Sequence, residues 1–178
     1  DIIAQIAANK TGELELNKII AQYGQTIVHQ QMKRIRKNAR TCTLDLIKKI
    51  KSSRFRMCID NIDLNLSIDV PDNKNKIYFN FIGSSAQQHD NFNAPLPITK
   101  AVILYALRCL INADTPLNSV ILEPVTILTD KNSLLNPSKN AAVSAGNVEI
   151  SQAIANCIFA TLGVKASCQS TMNNLVFG

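Results

Sequence analysis

Apolar side chains at Leu16, Ile19, Ile20, Tyr23, Ile27, Ile35, Ala39, Cys42, Leu46 and Ile50 recur at mixed three- and four-residue steps. Such steps predict an amphipathic helix from about Leu14 to Ile50, kinked or divided into a pair at Gly24. A short helix over residues 2 to 9 precedes it, ending before Thr11-Gly12. After Ser52-Ser53 the period changes to two: Ile62, Leu64, Leu66, Ile68 and Val70 alternate with Asp63, Asn65, Ser67 and Asp69. That pattern predicts a half-buried strand. Pro71-Asp72-Asn73 supplies a turn, and Lys76 to Phe81 returns as the second strand of a hairpin.

A polar loop follows from Gly83 to Pro97, long enough to suggest a functional role. Ile98 to Ile111 predicts a helix with Thr99 as its cap. Val120 to Leu128 is strand-like, and Pro124 places it at an edge or a bulge. After the polar loop from Lys131 to Asn140, Val148 to Leu162 predicts an apolar helix closed by Gly163. With no internal repeat and no linker, residues 1–178 read as a single α+β unit. Its order is a long helix or kinked helix pair, a β-hairpin, and mixed strands with two further helices.

Composition narrows the class. At 46% hydrophobic and 18% charged, 178 residues can bury a real core, which excludes disorder. No apolar run approaches the roughly 18 to 20 residues of a membrane span, so a soluble chain without a membrane partner is expected. Five cysteines at irregular spacing form no CxxC or Cys/His cluster, which argues against zinc. Cys42, Cys109 and Cys157 lie on apolar stretches and read as buried, inert thiols. This cysteine usage fits a reducing cytoplasm.

Charge is unevenly placed. Residues 33–56 hold ten basic side chains against Asp45 alone, although the whole chain is only +6. A basic stretch can mark nucleic-acid contact. Here Phe55 is its only aromatic, so base stacking has little support and a solvated helix face is the plainer reading.

No P-loop, GxGxxG, GxSxG or HExxH is present. Of the two histidines, His29 falls on the polar side of the long helix and His89 in the long loop, the better place for a site. Three amide-rich segments stand out instead: 83–95, 135–152 and 169–174. Asn and Gln offer both donors and acceptors, which suits a small amide-like ligand, while turn geometry alone also favours such residues. Gly146-Asn147, before a helix, would also present backbone N–H groups to an anion.

The segments DIIAQIAANKTGELEL, FIGSSAQQHDNFNAPLPITKAVILYALR, SLLNPSKNAAVSAGNVEISQ and STMNNLVFG resemble, in order, the hydantoinase B/oxoprolinase family. That family includes the B-type subunit of ATP-dependent hydantoinases and the C-terminal half of 5-oxoprolinase, with acetone carboxylase more distantly related. The resemblance implies a central slice of a longer subunit, and ATP-dependent opening of a cyclic amide. It implies as partners an A-type ATP-binding subunit and the rest of the B-type subunit. ATP and a divalent metal are expected for the full enzyme and no cofactor site in this chain, because the family's His- and Asp-rich segment has no equivalent here. The implied substrate-binding residues are Ser84, Ser85, Gln87, Asn93, Asn147, Gln152, Asn173 and Asn174. Glu149 is the implied general base, its competing role being the first-turn acid of its helix.

The match has departures. Where the family usually has Gly, this chain has Asp90, Val120, Asn132 and Ser170. Where it usually has Pro, there are Ala86, Asp130 and Asn140, and Asn80 replaces a strand-end acid. A β-branched Val120 in a glycine position is expected to change local geometry. These changes leave a second expectation open: a fragment inactive in isolation, or a non-catalytic remnant acting as an interaction module.

Overall fold

The computed structural model describes residues 1–111 and 113–164, and the fold they form is α+β. Helix α1 (Ile2–Tyr23) runs through Gly12 without a break, so the short helix expected over residues 2 to 9 is the first part of a longer one. A hypothetical Cβ at Gly12 would meet nothing within 4 Å, so the glycine costs only local helix propensity. The break falls at Gly24, whose φ of 83° suits glycine. Its N–H donates to Ile20 O (2.8 Å) and its carbonyl accepts from Val28 N (3.2 Å), so one residue closes α1 and opens α2 (Gln25–Ile47).

The apolar stripe then divides by use. On α2, Ala39, Thr43 and Ile47 are fully buried, and the Thr43 hydroxyl is satisfied by donating to Ala39 O (2.9 Å). On α1 no residue is buried.

Four strands form one sheet in the order β1-β2-β3-β4: Ser53–Ile59, Ile62–Asp69, Ile77–Asn80 and Val125–Leu128. The first two junctions are antiparallel and the third is parallel. Strands β2 and β3 are the hairpin that the alternation predicts. Strand β1 was not anticipated, because Arg54, Arg56 and Cys58 interrupt its apolar reading. Paired to β2, however, they share the outer face, while Phe55 and Met57 lie opposite Leu66 and Leu64. The β1–β2 connection is the two-residue turn Asp60-Asn61, with Asp60 at φ 51°.

The inner face of the sheet buries Leu64, Leu66, Ile68, Ile77 and Phe79. Helix α4 (Ser151–Leu162) lies across β1 and β2, and α3 (Leu96–Leu110) packs on α4. Cys157 of α4 is completely buried there, and burial pushes its thiol up to about 11. Gly163, at φ 64°, ends α4 by donating to Ala160 O (3.0 Å). Cys109, expected to be buried, is exposed on the outward side of α3, and Cys42 is only half-buried.

Three local expectations change. Helix α3 starts at Leu96 behind Pro95, so Thr99 lies inside it as a buried residue rather than as its cap. The stretch before Pro124 is a 3-10 turn, Ser119–Leu122, whose Val120 N–H is capped by the Asn118 side chain (3.1 Å). Val120 is buried in that turn at an ordinary negative φ, so its branched side chain imposes no backbone strain. Asn132 is different: at φ 55° it occupies the left-handed region, where the resemblance leads to an expected glycine.

Candidate functional site

The long polar loop is ordered by side chains that bond to backbone. Ser84 Oγ accepts from Asn65 N (3.1 Å) and donates to Asn65 O (3.2 Å), and Ser85 Oγ accepts from Asp63 N (2.8 Å). These two serines clip the start of the loop to β2. Gln87 Oε1 accepts from Ser138 N (2.7 Å), tying it to the second loop. Asn93, fully buried, is the hub: its Oδ1 accepts from Gln88 N (2.8 Å), and its Nδ2 donates to the carbonyls of Gln88 (3.0 Å), Asp90 (3.1 Å) and Ala142 (2.9 Å).

The amide-rich segment before α4 crosses this hub at Gly146. A Cβ there would stand 2.1 Å from the carbonyl oxygen of Asn93, so only glycine lets the two backbones pass. Ala145 N donates to Asn91 O (2.9 Å), and Asn91 Nδ2 to Ser144 Oγ (2.9 Å), which fastens the crossing. The chain then makes a π turn, Gly146–Ile150, before entering α4. The N–H groups of Gly146, Val148 and Glu149 bond back to Val143 and Ala145 inside this turn. Of the Gly146-Asn147 pair, the Gly146 N–H is thus taken up within the chain.

Beside the crossing lies a cavity of about 330 Å³. The β1–β2 turn supplies Asp60 and Asn61, the long loop Gln88, Asp90 and Phe92, and the π turn Glu149. Its remaining walls are the apolar Ile59, Ile62, Ile150 and Ala153. This is a small cavity of ligand-binding size, lined half by polar or charged side chains and half by apolar ones. Asp90 is held by accepting from Phe92 N (3.0 Å). Glu149 is half-buried.

Of the residues expected at a site, Glu149 lines this cavity, whereas Asn147 and Gln152 do not. They line a separate groove of about 230 Å³ between α3 and α4, with Tyr105 and Ser151. Ser84, Ser85, Gln87 and Asn93 bond the loops to one another and to β2. Asn173 and Asn174 lie outside the described residues, and His29 and His89 are exposed. Sequence reading missed Asp60, Asn61, Gln88 and Asp90 as cavity residues. A signal existed for the first two, since Asp-Asn between Ile59 and Ile62 is a hairpin-turn pair.

Among the described residues, no group of three or more His, Cys, Asp or Glu could hold a metal ion. No described helix is long and apolar enough to cross a membrane.

The family model for hydantoinase B/oxoprolinase matches residues 1–178. The chain belongs to the hydantoinase B/oxoprolinase family. It is 34% identical to 5-oxoprolinase 1 of Arabidopsis thaliana, with all of this chain matched against 15% of that protein. It is 36% identical to the 5-oxoprolinase of Saccharomyces cerevisiae, again over its whole length and 14% of the relative. This hydantoinase B/oxoprolinase chain thus spans about 15% of the length of these curated relatives. Its fold matches the ATP-dependent caprolactamase from Pseudomonas jessenii (TM-score 0.74, 16% identity, 91% of this chain and 29% of that one). An acetone carboxylase is also similar (TM-score 0.69, 12% identity, 83% of this chain and 22% of that one).

Proposed function

We propose that this chain supplies the ring-holding and water-activating part of an ATP-dependent cyclic-amide hydrolase, with Glu149 as general base. The observation carrying the reading is the cavity where the family's amide-rich loops meet Glu149. A cyclic amide presents an apolar ring edge and one amide plane. Phe92, Ile150 and Ile62 suit the first, and the Gln88 and Asn61 amides suit the second. With the carbonyl activated by phosphorylation elsewhere in the assembly, water attacks the ring carbon. Glu149 takes a water proton as the new C–O bond forms and passes it to the ring nitrogen as the C–N bond breaks. That leaves an open-chain amine and an acyl phosphate, which a second water hydrolyses to carboxylate and inorganic phosphate. Ser84, Ser85, Gln87 and Asn93 act as positioning residues, because they fix the loops that carry Gln88, Asp90 and Phe92.

The proposed assembly adds an A-type ATP-binding subunit and further B-type sequence. In this reading ATP and any divalent metal are bound by the rest of the assembly. The proposed location is the cytoplasm, where ATP is available. The test is ATP-dependent hydrolysis of 5-oxoproline and hydantoins by the assembled enzyme. Turnover above background supports the reading, and a correctly assembled complex inert on both overturns it.

A second reading, a non-catalytic module of the same family, rests on the departures from the resemblance at Asp90, Val120, Asn132 and Ser170. Relaxed constraint would leave such marks. Hydrolysis by an assembly containing the unaltered chain would dispose of this reading.

A further inference from the structure

We infer that Asp60 and Asp90 make the Glu149 cavity select rings without a carboxylate, against anionic cyclic amides such as 5-oxoproline. The inference rests on the reading of this cavity as the ring site. The observation that carries it is the sign of the charge around the cavity. Of its ten described lining residues, Asp60, Asp90 and Glu149 are acidic and none is Lys or Arg. The three acids come from the β1–β2 turn, the long loop and the π turn, so the acidity does not belong to one segment. Neither Asp60 nor Asp90 is neutralised in an ion pair among the described residues. Arg56, on the strand leading into the turn, pairs with Asp63 (3.0 Å) and lines a different hollow with Arg54. His89, beside Asp90 in sequence, is exposed and does not line the cavity.

Specificity is a difference between substrates. The phosphoryl group is common to every ring the assembly activates, so it drops out of the comparison, whereas a ring substituent does not. A carboxylate on the ring brings like charge beside three fixed acids. That repulsion is screened least where Ile59, Ile62 and Ile150 displace water. A carboxamide of the same shape carries no such charge, and its donors and acceptors suit the Asn61 and Gln88 amides. Both aspartates are held by local bonds: Asp60 O accepts from Cys58 Sγ (3.4 Å) and Asp90 Oδ1 from Phe92 N (3.0 Å). Asparagine at either position keeps these acceptors and removes only the charge.

The test measures kcat/KM of the assembled enzyme, with ATP, for 5-oxoproline and for 5-oxoprolinamide, which share a ring and differ by one charge. At low salt the amide is expected to be favoured at least ~10-fold, and added salt should narrow the gap. Asp60→Asn with Asp90→Asn should lower that ratio at least ~3-fold. Asp60→Asn alone, at an exposed turn position, should lower it in the same direction by less. Equal efficiency, or a preference for 5-oxoproline, in the unaltered assembly overturns the inference and leaves the ring-site reading intact. A ratio that neither variant moves does the same. An assembly inert on both rings overturns the ring-site reading, and the inference with it.

Discussion

Two helical regions of similar apolar content meet opposite fates. Helix α4 buries eight of its twelve residues against the sheet and α3, whereas α1 buries none of its 22. Both carry isoleucines and alanines, so hydrophobicity alone does not decide. In α4 the apolar residues run nearly all round and have a sheet below and a helix above. In α1 they are spread around a helix that also carries Lys10, Glu13, Glu15 and Lys18, and none is buried. The body of the protein therefore holds itself together, whereas the α1 arm adds nothing to its core.

The largest expected effect separates these regions directly. Phe79→Ala, in the fully buried inner face of the sheet, should cost about 3–5 kcal/mol. Leu14→Ala, on the arm at 63% exposure, should stay within about 0.5 kcal/mol. Urea denaturation of both variants measures the contrast, and comparable losses would break it.

A smaller effect probes the crossing of the loops. Gly146→Ala places a methyl against the Asn93 carbonyl, and backbone displacement there should cost about 1–3 kcal/mol. Gly12→Ala, on the arm and in open space, should instead stabilise α1 by up to about 1 kcal/mol. The two glycines thus predict opposite signs for the same substitution, again readable by urea denaturation.

The smallest effect is one of pH. The Cys157 thiol is raised from its ordinary 9.0 to about 11 by burial, so folding disfavours its thiolate. The stability this contributes is complete below pH 9 and declines as pH rises towards 11, where the unfolded chain ionises first. In Cys157→Ala the stability–pH curve should be flatter over that interval. Cys109→Ala, at an exposed thiol, should leave the slope as it was.

Where a period was uninterrupted, it was legible. The alternation of Ile62 to Val70 is β2, and the Gly24 break and the Gly163 cap fall where their chemistry places them. Strand β1 was hidden because its outward positions are arginines on an open sheet face, where Arg56 pairs with Asp63 at 3.0 Å. Thr99 misled because a proline-led helix needs no side-chain cap so close to its start. Family resemblance named the loops that supply Gln88, Asp90, Phe92 and Glu149 to the cavity. It could not distinguish amides that hold loops, such as Asn93, from residues that face the cavity. That distinction depends on a hairpin turn nearly 90 residues before Glu149 closing one side of the cavity.

The most direct test of the functional account compares Glu149→Gln with Asn147→Ala in the assembled enzyme, measuring kcat and KM for cyclic-amide hydrolysis. The two residues are neighbours in sequence but line different hollows. The account predicts that Glu149→Gln lowers kcat by about 100-fold or more with little change in KM, and that Asn147→Ala changes kcat by less than about threefold. An unchanged kcat in Glu149→Gln, or a larger loss in Asn147→Ala, would contradict it.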